Sequence, residues 1–84
     1  MTRDDARTWL ASALQQIAPD VALDAIDPDA PFQEEADIDS MDFLNLVVAI
    51  HEVSGIEIPE RDYGRLATVT SILAYLEERS RSVA

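Results

Sequence analysis

Asp37, Asp39 and Asp42 bracket Ser40 in the stretch Asp37-Ile38-Asp39-Ser40-Met41-Asp42, where a polar loop gives way to the most apolar helical segment of the chain. A hydroxyl among carboxylates could serve nucleophilic catalysis, metal binding, paired acid-base chemistry, or the acceptance of a group. Nucleophilic catalysis needs a base, and His51 is the sole histidine. The two share nearly one helical face, but at about 1.5 Å of rise per residue they stand roughly 16 Å apart, beyond hydrogen-bond reach. His51 therefore reads as a surface or partner-contact residue. A calcium loop needs oxygen donors at alternate positions and a glycine at the sixth; counted from Asp37, the fifth is Met41 and the sixth Asp42, so the pattern fails. Paired carboxylates working as acid and base need an enclosed cleft that separates their pKa values, and a small bundle with an acidic loop offers no evident one. What remains is Ser40 as acceptor of a group delivered by another protein. The first turn of a helix suits a phosphodiester, because its free amides and the positive end of the dipole favour an anion.

The elements that position this serine follow from apolar spacing. Trp9, Leu10, Ala13, Leu14 and Ile17 recur at helical intervals from Ala6, predicting a first helix that Thr2 caps, with Asp4 and Asp5 in its first turn and Pro19 marking its end. Residues 19 to 39 hold three prolines and many aspartates and predict a long loop, pinned to the bundle by Val21, Leu23, Ile26 and Phe32. Asp39 is the expected N-cap of the serine helix, with Asp42 at the third helical position and Ser54-Gly55 as the stop. That helix is apolar around most of its circumference, through Met41, Phe43, Leu44, Leu46, Val47, Val48, Ala49 and Ile50. So small a bundle cannot bury all of them. Ile56-Glu57-Ile58 alternates like a strand but has no partner segment, and Pro59-Glu60 starts a short third helical turn toward Tyr63 and Leu66 that Gly64 weakens. Thr68 or Thr70 caps a last helix built on Val69, Ile72, Leu73 and Leu76, with a tail fraying from Ser80. The expected fold is all-α: one four-helix domain over residues 1–84, its core at about 3–79.

Composition narrows the partners. The 84 residues suffice for one modest core. Without cysteine, neither disulfides nor thiolate metal sites are available, and the reducing cytoplasm is the expected address. The start resembles no secretory or transit signal, and no apolar run approaches the roughly 20 residues a bilayer span needs. Seventeen acids against six arginines give a net charge of -11, which disfavours nucleic acid and anionic membranes. Nine of the acids lie between residues 20 and 42, where no base occurs, so a basic protein surface is the natural complement.

The same residues resemble the acyl carrier proteins, whose signature is an Asp-Ser-Leu triplet opening the second helix. Here it reads Asp39-Ser40-Met41. Phe32 and Glu34 fit the positions ahead of the motif, Leu46, Val47 and Ile50 its inward positions, Glu57-Ile58-Pro59 the lead into helix III, and Thr68-Val69 the start of helix IV. The match runs from about Pro31 to Leu76. The resemblance implies a non-enzymatic monomer carrying 4'-phosphopantetheine on Ser40, with Asp39 beside it. A phosphopantetheinyl transferase would supply the group from coenzyme A. The arm would bear acyl groups as thioesters between acyl-activating, acyltransferase or condensing enzymes of fatty-acid, polyketide or specialised lipid biosynthesis. An aminoacyl or peptidyl carrier with the same group, and an unmodified acidic adaptor, are the alternatives. The serine helix would face partners: Asp37, Asp39 and Asp42 would meet basic docking patches, beside Met41, Leu44 and Val48, of which Leu44 and Val48 should be partly exposed. Met41, Leu46, Val47, Ile50, Ile58, Leu73 and Leu76 are the expected core, some of them lining a shelter for the acyl chain. Tyr63 and Tyr75 are expected to be packing residues, and Trp9 to hold the first helix to the bundle.

Three departures stand out. Asp37 occupies a position the family usually gives to Gly, so the loop there must tolerate a side chain. Met41 replaces Leu, a volume-conserving change costing under ~1.5 kcal/mol. Asn45, His51 and Val53 stand where carriers of fatty-acid synthesis typically show acids, which points to a specialised carrier.

Overall fold

The computed structural model describes the backbone of residues 3–83 and the side chains of residues 3–80. It is all-helical, and no strand occurs among the described residues. Helix α1 (Arg3–Ile17) buries Ala6, Leu10, Ala13 and Leu14 on one face, with Trp9 and Ile17 partly buried beside them. Asp4 and Asp5 lie in its first turn, where negative charge meets the positive end of the helix dipole. The cap expected from Thr2 lies outside the described residues.

The long connection contains more order than its composition suggests. Leu23–Ala25 forms a 3-10 turn and Phe32–Ala36 a short helix, α2. Leu23, Ile26, Phe32, Ala36 and Ile38 are buried, so the segment is pinned at intervals of a few residues. Backbone bonds tie it to the far end of the chain: Phe32 N donates to Ala67 O at 2.7 Å, and Thr70 N donates to Pro28 O at 3.0 Å.

Helix α3 (Ser40–Ser54) is the serine helix. It divides its apolar circumference in two. Phe43, Leu46, Val47 and Ile50, at i, i+3, i+4 and i+7, face the core, while Met41, Leu44 and Val48 are 69%, 44% and 54% exposed. Burying both stripes would need neighbours on all sides, whereas α1 packs on one side only. Met41 was expected in the core; its position in the first turn turns it to solvent instead. The helix ends as expected, with Gly55 in the left-handed region at φ 76° and its N-H bonded to His51 O.

Ile56 and Ile58 are buried and Glu57 is exposed, so the alternation holds in an extended segment that pairs with nothing. The third element, Glu60–Arg65, is a 3-10 helix behind Pro59, and none of its residues is buried. Polar contacts hold it to α4 (Val69–Val83): Tyr75 Oη donates to Asp62 Oδ2 at 2.8 Å, and Arg65 bonds Glu78 and stacks over the Tyr75 ring. Thr68 caps α4 reciprocally with Ser71, each backbone N-H donating to the other's hydroxyl at 3.0 Å. Ser80 was expected to begin a frayed tail; it is buried, donates to Glu77 O, and the helix continues past it to Val83. α1 packs chiefly on α3 and secondarily on α4.

Candidate functional site at Ser40

Ser40 is the first helical residue of α3, and it is exposed. Asp39 is extended (φ −91°, ψ −176°), and its carboxylate accepts the Asp42 N-H at 2.8 Å, as the sequence predicts for an N-cap. This fixes the chain direction immediately before the hydroxyl. The amides of Ser40 and Met41 precede the helical hydrogen-bond ladder, so the dipole's positive end is directed past the serine.

Asp37 ends α2. It was expected to hold a backbone that tolerates a side chain, and it takes the left-handed region itself, at φ 55° and ψ 47°. Its N-H bonds back to Gln33 O and Glu34 O, closing the turn that delivers Asp39 and Ser40. Aspartate is among the few residues that enter this region, which is why the loop persists without glycine. Asp37 and Asp39 are exposed and Asp42 is half-buried, so the serine stands in an acidic rim.

Behind the rim lies an open groove of about 410 Å³ that Ser40 itself lines, together with Gln33, Phe43, Leu44, Tyr63, Gly64, Leu66 and Ala67. Nothing in the sequence foretells it, because its walls come from α2, α3 and the 3-10 helix. Tyr63 was expected only to pack; its ring meets Phe43 edge to face, centroids 6.0 Å apart, and also walls the groove. No carboxylate lines it, so it gives no setting for paired acid-base chemistry. The core residues Leu46, Val47, Ile50, Ile58, Leu73 and Leu76 are buried as expected, and none of them lines the groove.

His51 lies in the last turn of the same helix, its Nδ1 3.2 Å from Ile56 O, far from Ser40. Among the described residues no three of His, Asp and Glu gather as metal ligands do. An exposed serine at a helix start, with His51 at the other end of the same helix, fits a covalent tether. Its hydroxyl is accessible, the local field suits a phosphodiester, and an apolar groove adjoins it.

The fold and this site define a class of helical carrier domain, and comparison with known proteins agrees. The family model described as "Phosphopantetheine attachment site" matches residues 8–76. An acyl carrier protein of Streptomyces coelicolor is 36% identical over 75 residues, 89% of this chain and 77% of that protein. Those of Helicobacter hepaticus and Campylobacter hominis are 33% and 34% identical over 67 and 62 residues, covering 80% and 74% of this chain and 86% and 78% of theirs. The chain belongs to the acyl carrier protein family, as a carrier and not an enzyme. Among the described residues no helix is long and apolar enough to cross a membrane.

Proposed function

We propose that Ser40 is the attachment point of 4'-phosphopantetheine and that the protein carries acyl groups between enzymes of fatty-acid, polyketide or specialised lipid biosynthesis. The observation that carries this reading is the exposed Ser40 hydroxyl in the first turn of α3, held by the Asp39 cap and inside the span of the family match. A phosphodiester forms at Ser40 Oγ as the anhydride bond of coenzyme A breaks; adenosine 3',5'-bisphosphate leaves, and the serine proton passes to a base on the transferase. Such an arm would supply a terminal thiol able to hold acyl groups as thioesters, a function this cysteine-free chain has no side chain to perform.

The chain's own residues orient and recognise. Asp39 fixes Ser40, while Asp37 and Asp42 present charge to basic partner surfaces, mainly raising encounter rate and setting orientation. Met41, Leu44 and Val48 supply the apolar contact on the same helix, a reading supported by their exposure. A charge of -11 opposes pairing with a second copy, supporting a monomer, and the lack of cysteine suits the cytoplasm. The test is to incubate the purified protein with coenzyme A, magnesium and a broad-specificity phosphopantetheinyl transferase and to weigh it intact. A gain of one phosphopantetheinyl group is expected; an unchanged mass overturns the proposal.

A further inference from the structure

Five arginines have described side chains, in a chain with 17 acids. Three of them meet carboxylates: Arg3 pairs with Glu77, Arg7 with Asp24 and Arg65 with Glu78. Arg61 and Arg79 meet none among the described residues, and both line one pocket. That pocket, of about 330 Å³, lies between the extended segment after α3, the 3-10 helix and α4, with Glu57, Ile58 and Pro59 as its other walls. It shares no residue with the groove beside Ser40. Arg79 is held in place there. Its Nη2 donates to Glu57 O at 3.2 Å, and its guanidinium stands 5.9 Å from the centroid of the Tyr75 ring, whose hydroxyl is fixed in turn by Asp62. Its Nε is buried and has no hydrogen-bond partner among the described residues. A donor buried unpaired is costly, and a group from outside the chain is one of the few things that account for one.

The charge of the pocket limits what that group is. Arg61 and Arg79 against Glu57 leave one net positive charge, which a single carboxylate neutralises and a phosphate dianion exceeds. A guanidinium offers a carboxylate two parallel N-H donors, and a small turn of the Arg79 side chain brings its unpaired Nε to that edge. The rest of the surface says where the carboxylate comes from. At a net charge of -11 the chain repels small acids and acidic peptides alike, so the carboxylate must stand on a surface that is otherwise neutral or basic. We propose that the pocket between Pro59 and α4 is a docking socket for one carboxylate of a basic protein partner, held by Arg61 and Arg79. A partner whose bases meet the acidic rim and whose acid enters this socket engages the carrier in one orientation, because the two contacts have opposite sign and lie on different elements. Only the basic character of the partner rests on the proposed function; the socket stands apart from Ser40.

The probe is the peptide Lys-Ala-Glu-Ala-Lys with blocked ends, beside a twin carrying Gln for Glu. Each is titrated into the 15N-labelled, unmodified protein while arginine Nε-H and backbone amide signals are followed. The Glu peptide is expected to move the Nε-H signals of Arg61 and Arg79 and the amide of Ile58 saturably, and to bind at least about threefold tighter than its twin, the scale of a partly exposed charge-assisted bond. Arg61→Gln and Arg79→Gln should each abolish that excess, and Glu57→Gln should enlarge it. Arg79→Gln also gives up the stack on Tyr75, whereas Arg61 is exposed, so Arg61→Gln decides the matter if the other variant folds poorly. Equal affinity of the two peptides overturns the socket, as does an excess that survives Arg61→Gln. Shifts confined to residues 37–42 place only the peptide's lysines on the acidic rim and overturn it as well. Inorganic phosphate that moves the same arginine signals at lower concentration than the Glu peptide assigns the pocket to a phosphate dianion and overturns the carboxylate. Ser40 takes no part in this binding, so failure here leaves the proposed attachment standing, and failure of attachment leaves the socket standing.

Discussion

Asp37 shows how a single residue can satisfy a backbone demand that its neighbours create. The turn from α2 into the serine needs one residue at positive φ, and Asp37 supplies it at 55°. The left-handed region costs an L-residue roughly 1–2 kcal/mol, less for aspartate, and replacing it with glycine returns part of that as greater freedom of the unfolded chain. Asp37→Gly is therefore expected to raise stability by about 0.5 kcal/mol, and Asp37→Val to lower it by more than about 1 kcal/mol, as read from urea midpoints. The capping role of Asp39 and the helix start at Ser40 were legible in the sequence because caps are local. The conformation of Asp37 was not, since aspartate is common in many kinds of loop.

At the scale of the element, the serine helix separates a buried apolar stripe from an exposed one. Leu46 is fully buried, and Leu46→Ala should cost about 2–5 kcal/mol. Leu44→Ala combined with Val48→Ala removes half-exposed side chains and should change stability by less than about 1 kcal/mol while weakening processing by partner enzymes. Unfolding of that double variant would place the two residues in the core and contradict the contact reading. Helical periodicity told which residues could share a face, but the helix offered two faces, and only its packing against α1 decided that Met41, Leu44 and Val48 would be left out. The 3-10 helix is a different case. It buries no residue fully, so its hold rests on the partly buried Tyr63 ring against Phe43 and on the polar contacts of Tyr75 and Arg65. Burial, then the hydrogen bond to Asp62, pushes the Tyr75 phenol above its usual 10.0, so the folded protein keeps this proton longer than the unfolded chain does. The resulting stability is complete below the unfolded value and is lost as pH rises through the folded one. Alkaline titration of the unfolding midpoint should show this loss, and Tyr75→Phe should show less of it while costing about 0.5–1.5 kcal/mol at neutral pH.

At the scale of the whole molecule, charge opposes compactness. Nine acids between residues 20 and 42 meet no base in that span, and the three ion pairs seen among the described residues lie largely on the surface, where each is worth about 0–1 kcal/mol. Salt that screens repulsion therefore gains more than it loses. Raising NaCl from about 20 to 300 mM should increase Tm by several degrees, since about 1 kcal/mol is worth 4–8 °C in so small a domain; a fall in Tm would mean that attractive pairs dominate. The all-α bundle was legible because three long segments carry helical spacing. The order within the long connection was not, because Pro28 and Phe32 are held by Thr70 and Ala67, partners distant in sequence, and the groove was hidden for the same reason. What unites these levels is the claim that a stable bundle holds one serine ready for another enzyme. Peptide mapping after reaction with coenzyme A and a phosphopantetheinyl transferase tests it most directly. One added group is expected, on Ser40 and on none of the other five serines, with no addition to folded Ser40→Ala. An added group elsewhere, or an equal gain in Ser40→Ala, would contradict it.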